Sequence, residues 1–361
     1  MRSILKKIHL WLSIPTGIII SITCLSGAIL VFQQEILELA NPSHYFVKDL
    51  KGETIPMDIL IPMVNEQLEN NQVTNVTIYD DPKRTYSMTL SEGFRISAFV
   101  DPYTGEVTGM YHFLENPFYT VMRIHRWLMD STRTWGKTIV GITTLLFVFI
   151  LITGLIVWLT PNGRAKKLLK INFKKGNRRL MYDLHNVLGT YTCIILLLCS
   201  LTGLMWSFDW YRNGVYKLIG IEMEEGGSER RRGGGRKKEE LNIAHWETVL
   251  NKVKKENPKY GHIRMQDGNA LVHQKSSVVS RSTDKYIFDK RTGEITQIEL
   301  YKDQEKSAKV WGWVYSLHVG NYWGIWSKTL TFLASLVGVS LPITGYYLFF
   351  KRKKKIKDLK N

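Results

Sequence analysis

Cysteine is scarce in this chain: three residues in 361, Cys24, Cys193 and Cys199, each inside an apolar run. That excludes a disulfide framework. No G-x-G-x-x-G opens a helix after a strand, so the chain brings no dinucleotide-binding or soluble flavin domain of its own. Acidic residues are almost missing from three short segments, because residues 1–8, 160–181 and 351–361 hold eighteen Lys and Arg against the single Asp358. The remainder carries thirty-one charged residues of each sign, so the whole net charge of +17 sits in those three places. Charge confined to short segments beside apolar runs is a topological signal and argues against nucleic acid as a partner.

What is abundant is apolar length. Residues 9–32, 138–159, 184–208 and 329–350 are mostly apolar, each long enough to cross a hydrocarbon core about 30 Å thick. The expected fold is therefore an α-helical membrane protein, a four-helix transmembrane bundle with helices over 9–35, 135–159, 182–210 and 323–350. The first run is too long for a signal-peptide core and has no small-residue cleavage site, so it reads as an uncleaved anchor. Lys and Arg excess keeps short loops in the cytoplasm. Both termini (1–8 and 351–361) and the loop 160–181 are then expected inside, with 36–134 and 211–322 outside.

The chain repeats itself. His9, Leu12, Thr16, Leu25, Ser26 and Gly27 match His185, Leu188, Thr192, Leu201, Thr202 and Gly203 at a constant offset of 176. Trp135, Lys137, Thr138, Leu145, Ile152, Thr153 and Gly154 match Trp326, Lys328, Thr329, Leu336, Ile343, Thr344 and Gly345 at an offset of 191. DPYTGEV at 101–107 echoes DKRTGEI at 289–295. These offsets predict two internal repeats, each a helix, an extracytoplasmic α+β module and a second helix. In the first module a helix over 56–70 precedes strands at 73–79, 86–90 and 96–100. In the second a helix over 243–256 precedes strands near 261–265, 270–279 and 285–288. The T-G-E pieces read as hairpin turns with Gly105 and Gly293 at positive φ. Residues 224–240 are a glycine-rich loop of mixed charge.

Four of the nine histidines flank membrane helices. His9 and His185 stand at the inner entrances of the first and third, and His125 and His318 just before the second and fourth on the outer side. Two repeat-related histidines at each face suit the two axial positions of a haem iron, leaving it coordinatively saturated for electron transfer. With no C-x-x-C-H, such a haem is held without thioether links. Gly27 follows His9 by eighteen residues, which returns it to the same helix face about 27 Å further along; Gly203 stands likewise to His185. Gly27 and Gly203 are thus expected to clear space for the outer haem, and Gly154 and Gly345 for the inner one. Arg123, Arg126, Lys137 and Lys328 are candidate partners for outer haem propionates, and Arg2, Arg178 and Arg179 for inner ones. Trp311, Trp313, Tyr315, Tyr322, Trp323 and Trp326 suit an interfacial aromatic belt.

HLWLSIPTGIIISITCLSGAILVF, RIHRWL, YDLHNVLGTY, SLHVGNYWG and the two TGE-ended modules together resemble the PepSY-associated transmembrane proteins, or iron-regulated membrane proteins, over nearly the whole chain. That family includes di-haem ferric-siderophore reductases. The resemblance implies two PepSY-like modules, two b-type haems ligated by His9, His185, His125 and His318, and residence in the bacterial cytoplasmic membrane. It also implies reduction of a ferric siderophore or other ferric chelate on the outer side. The electron donor is expected to be separate, a membrane quinol or a cytosolic reductase. Two other classes stay open on the residues alone. One is a non-redox PepSY-type sensor or protease-regulating protein. The other is a metal-ion permease, disfavoured by the lack of an intramembrane carboxylate pair.

Overall fold

The computed structural model describes residues 2–50, 52–68, 71–159, 170–221 and 241–358. Residues 224–240, expected as a loop, and residues 160–169 of the expected cytoplasmic connection lie outside them. In chain order the helices are α1 (Arg2–Val31), α2 (Gln33–Ala40), α3 (Pro42–Tyr45), α4 (Met57–Gln67), α5 (Pro117–Trp127), α6 (Trp135–Leu159), α7 (Asn177–Ser207), α8 (Asp209–Leu218), α9 (Trp246–Glu256), α10 (Lys306–Val319) and α11 (Ile325–Asp358). The strands are β1 (Val73–Tyr79), β2 (Tyr86–Leu90), β3 (Ile96–Val100), β4 (Val107–His112), β5 (Tyr260–Gln266), β6 (Asn269–Gln274), β7 (Asp284–Phe288) and β8 (Ile295–Glu299).

Two compact units emerge. One comprises residues 1–32, 120–219 and 314–361, the other 33–119 and 220–313. In the first, α1, α6, α7 and α11 are each long and apolar enough to cross a membrane, and the chain is a multi-pass membrane protein. α1 packs against α6 and α11, and α7 packs against the same two, so α1 and α7 face each other diagonally. Ile20, Phe147, Ile150, Leu151, Cys193, Leu196 and Ala334 form the buried layer at its centre. Two of these four membrane helices carry internal prolines, Pro15 and Pro342. Near them neighbouring side chains bond backbone carbonyls, Tyr346 Oη donating to Ile14 at 2.7 Å and Ser21 Oγ to Val339 at 3.1 Å. Three helices run past their apolar runs into basic sequence, beginning at Arg2 and Asn177 and ending at Asp358, since Lys and Arg are good helix formers.

The second unit is one eight-stranded antiparallel sheet in the order β4-β3-β2-β1-β5-β6-β7-β8. Two separate modules were the expectation; the strands are instead continuous, because β1 pairs with β5 through Asn75–Gln266, Thr77–Arg264 and Tyr79–His262. Each would otherwise offer an unpaired edge. β4 and β8 are outer strands that the alternation did not reveal, and β6 ends at Gln274 rather than near 279. The three strands expected in the first half keep their expected limits, and the T-G-E turns carry Gly105 at φ 76° and Gly293 at φ 71°. One face is covered by α4 and α9, whose Met57, Leu60, Trp246 and Leu250 are fully buried against Val76, Met88, Ile263 and Val272. The other boundary differs as well: residues 120–134, 211–219 and 314–322 belong with the membrane helices rather than with the sheet.

Candidate functional site

The four histidines meet in two pairs within the membrane unit. The rings of His9 on α1 and His185 on α7 have centroids 6.2 Å apart with planes at 88°. Those of His125 on α5 and His318 on α10 are 6.1 Å apart at 57°. Two imidazoles ligating one metal from opposite sides, each through Nε2 at about 2.0–2.1 Å, stand about 6 Å apart centre to centre. Both separations fit a single ion between the rings. Among the described residues no three His, Cys, Asp or Glu side chains come together as a metal cluster. Two nitrogens alone leave a transition-metal ion short of ligands, so the pairs suit an ion whose remaining positions a planar macrocycle already fills.

Each ring is docked on a neighbouring helix in the same way. His9 Nδ1 donates to the Ile150 carbonyl at 3.0 Å, His125 Nδ1 to Thr23 at 2.9 Å, His185 Nδ1 to Leu341 at 3.1 Å and His318 Nδ1 to Cys199 at 3.0 Å. A carbonyl only accepts, so the proton resides on Nδ1 and Nε2 keeps the lone pair that binds metal. Four residues beyond each accepting carbonyl stands a glycine. A Cβ there would lie 3.1 Å from Cε1 of His125 at Gly27, of His9 at Gly154 and of His318 at Gly203, and 3.6 Å from Cε1 of His185 at Gly345. The sequence suggested that these glycines clear room for a macrocycle; what each admits here is the edge of an imidazole.

The His9–His185 pair lines a cavity of about 320 Å³, together with Gly154, Gly345, Trp158 and Tyr182. Lys6 and Arg352 also border it, two cations that the sequence reading passed over. The Trp158 indole N–H is buried with no hydrogen-bond partner. A buried donor without an acceptor is costly, and this one lies beside a cavity bordered by two cations, which fits the carboxylates of a bound group. Arg179, an expected inner cation, is instead tied to the buried Asp183 at 2.9 Å.

The His125–His318 pair depends on how α5 enters α6. Leu128, Met129 and Arg133 adopt φ of 50°, 65° and 55°, a strained course for non-glycine residues. Asp130 anchors it, accepting from Thr132 N and Thr134 N at 2.9 Å, Gly136 N at 3.0 Å and Thr132 Oγ1 at 2.6 Å. Burial pushes its carboxyl up, but those bonds outweigh burial and hold it below the usual carboxylate range. A side chain at Gly136 would run into the Trp127 carbonyl. The turn after α10 uses Gly320 and Gly324 at positive φ instead, with Ser327 Oγ accepting from Tyr322 N and Trp323 N at 3.3 and 2.8 Å. Burial lowers both of these imidazoles; at His318, which falls to about 4, the neighbouring His125 lowers it next and Arg126 less, and at His125 Arg126 is the charge that adds to burial. The Arg126 guanidinium lies 4.8 Å over the Trp127 ring. Trp206 lies 5.1 Å from His318. Lys137 and Lys328 are half-buried at the starts of α6 and α11.

A family model described as the PepSY-associated TM region matches residues 6–352. No curated protein matches the chain.

Proposed function

This chain belongs to the PepSY-associated transmembrane family, and on that premise we propose that it is a transmembrane electron-transfer protein. In this reading it holds two b-type haems and reduces a ferric chelate, such as a ferric siderophore, outside the bacterial cytoplasmic membrane. The observation that carries the reading is the meeting of two histidine pairs, 6.2 and 6.1 Å apart, at opposite ends of one bundle. When bound, a haem at each pair would supply a one-electron carrier.

His9 and His185 would hold the inner group, and His125 and His318 the outer one. The carbonyls of α6, α11, α1 and α7 fix the ring orientations, so the ligands need no reorganisation. Ile20, Phe147, Leu151 and Leu196 keep the space between the two levels apolar. Trp158, Lys6 and Arg352 would receive carboxylates at the inner site, and Arg126, Lys137 and Lys328 would do so at the outer one. Electrons come one at a time from a membrane quinol or from a cytosolic reductase docking on the basic inner segments. They leave to ferric iron, and the Fe(II) formed is released because oxygen-rich chelators hold it weakly. Both termini and the 160–181 connection lie in the cytoplasm on this reading.

Proteoliposomes loaded with a trapped reductant test it. The haem-loaded protein should reduce an external ferric chelate, read with an external Fe(II) indicator, and vesicles bearing His9→Ala/His185→Ala protein should not. Equal rates from both would overturn the proposal.

A further inference from the structure

Every candidate ligand meets a second oxygen besides its carbonyl. Thr344 Oγ1 lies 2.9 Å from His185 Nδ1, Thr202 Oγ1 3.1 Å from His318 Nδ1, Ser26 Oγ 3.3 Å from His125 Nδ1 and Thr153 Oγ1 3.4 Å from His9 Nδ1. Each of these residues immediately precedes its glycine, so a Ser/Thr-Gly step forms every docking seat. The hydroxyl hydrogens are already committed within their own helices. Ser26 donates to Ile22 at 2.7 Å, Thr153 to Phe149 at 2.7 Å, Thr202 to Leu198 at 2.6 Å and Thr344 to Leu341 at 2.9 Å. What faces the imidazole is therefore a lone pair, and the ring N–H is shared between two acceptors.

Ser and Thr in membrane helices often bond back to their own carbonyls without further purpose. Thr16 and Thr192 do so here, donating to Leu12 at 2.7 Å and Leu188 at 2.9 Å. They are the comparison that isolates the other four. We propose that the hydroxyls of Ser26, Thr153, Thr202 and Thr344 are positioning residues for the axial imidazoles. They lock the Nδ1–H tautomer and raise the basicity of Nε2, as outer partners of metal-binding histidines do.

This rests on the reading of the pairs as haem ligands, so the test keeps the two separate. Apo-protein in a His318→Ala background, which leaves the inner site alone, is titrated with hemin, and the midpoint potential of the bound haem is measured. Thr344→Val should lose roughly tenfold in haem affinity and raise the potential, since a less basic ligand favours the ferrous form. Thr344→Ser should behave as the parent, and Thr153→Val, with its longer contact, should lose less than Thr344→Val. Thr192→Val should change neither quantity. If the parent takes up no haem, the haem reading itself fails. If it takes up haem but Thr344→Val matches Thr192→Val, or Thr344→Ser falls as far as Thr344→Val, the hydroxyls have no positioning role.

Discussion

Glycine decides how closely a histidine can approach a neighbouring helix, and the four glycines do not decide it equally. An alanine at Gly27, Gly154 or Gly203 brings a methyl to 3.1 Å of an imidazole carbon, whereas at Gly345 the distance is 3.6 Å, an ordinary contact. Gly27→Ala, Gly154→Ala and Gly203→Ala should each cost roughly tenfold in haem affinity at one site, and Gly345→Ala should be near neutral, read by hemin titration. A flat series would mean that the imidazole edge is not what the glycines accommodate. At this scale the sequence was informative, because constant offsets of 176 and 191 marked His9 with His185, Gly27 with Gly203 and Gly154 with Gly345, while His125 and His318 were matched by their place just before the second and fourth helices. The hydroxyls before the glycines were aligned by the same offsets but carried no visible role, since a Ser or Thr shows its second partner only when another helix is placed against it. Lys6 and Arg352 were hidden for a like reason, being far apart in sequence and brought to one cavity by packing.

Among the elements, α5 and α10 were the hardest to foresee. Each is short and mixed in polarity, so neither reads as a membrane span, yet each delivers an outer histidine to the side of α1 or α7. The turn from α5 into α6 is held by Asp130, and Gly136 is the one residue type that fits beneath the Trp127 carbonyl. Gly136→Ala should cost about 1–3 kcal/mol through the forced shift and loosen the outer haem before the inner one, measured as the haem-to-protein ratio after gel filtration. Asp130 has a depressed carboxyl, so its contribution is present above the unfolded carboxylate pKa and is lost as pH falls through the folded one. Acidification into that range should release the outer haem first in the parent protein. Asp130→Asn should remove the pH dependence of that step, and an unchanged profile would show that the carboxylate does not hold the turn.

At the scale of the whole molecule, two sequence halves that looked like separate modules build one sheet. Alternation revealed the strands flanked by strong turns, but the β1 to β5 pairing joins residues nearly two hundred positions apart and leaves no local trace. That sheet carries its own pH signature. Burial, with help from the neighbouring His273 and Arg264, lowers His262 to about 4. The unfolded chain binds a proton at higher pH than the folded one, so the contribution is complete above about pH 6.5. It declines towards pH 4, by at most about 3 kcal/mol. His262→Gln should flatten this decline in a denaturation series followed by circular dichroism, and an unaltered slope would place the pH dependence elsewhere. The central claim, that the histidine pairs are cofactor seats, is tested most directly by one measurement. Protein expressed with ample haem is purified, and its reduced-minus-oxidised spectrum and haem content are recorded. The account predicts b-type bands at two haems per chain, falling to one in His125→Ala or His318→Ala with the inner haem retained. Absence of b-type bands, or loss of the inner haem from those two variants, would contradict it.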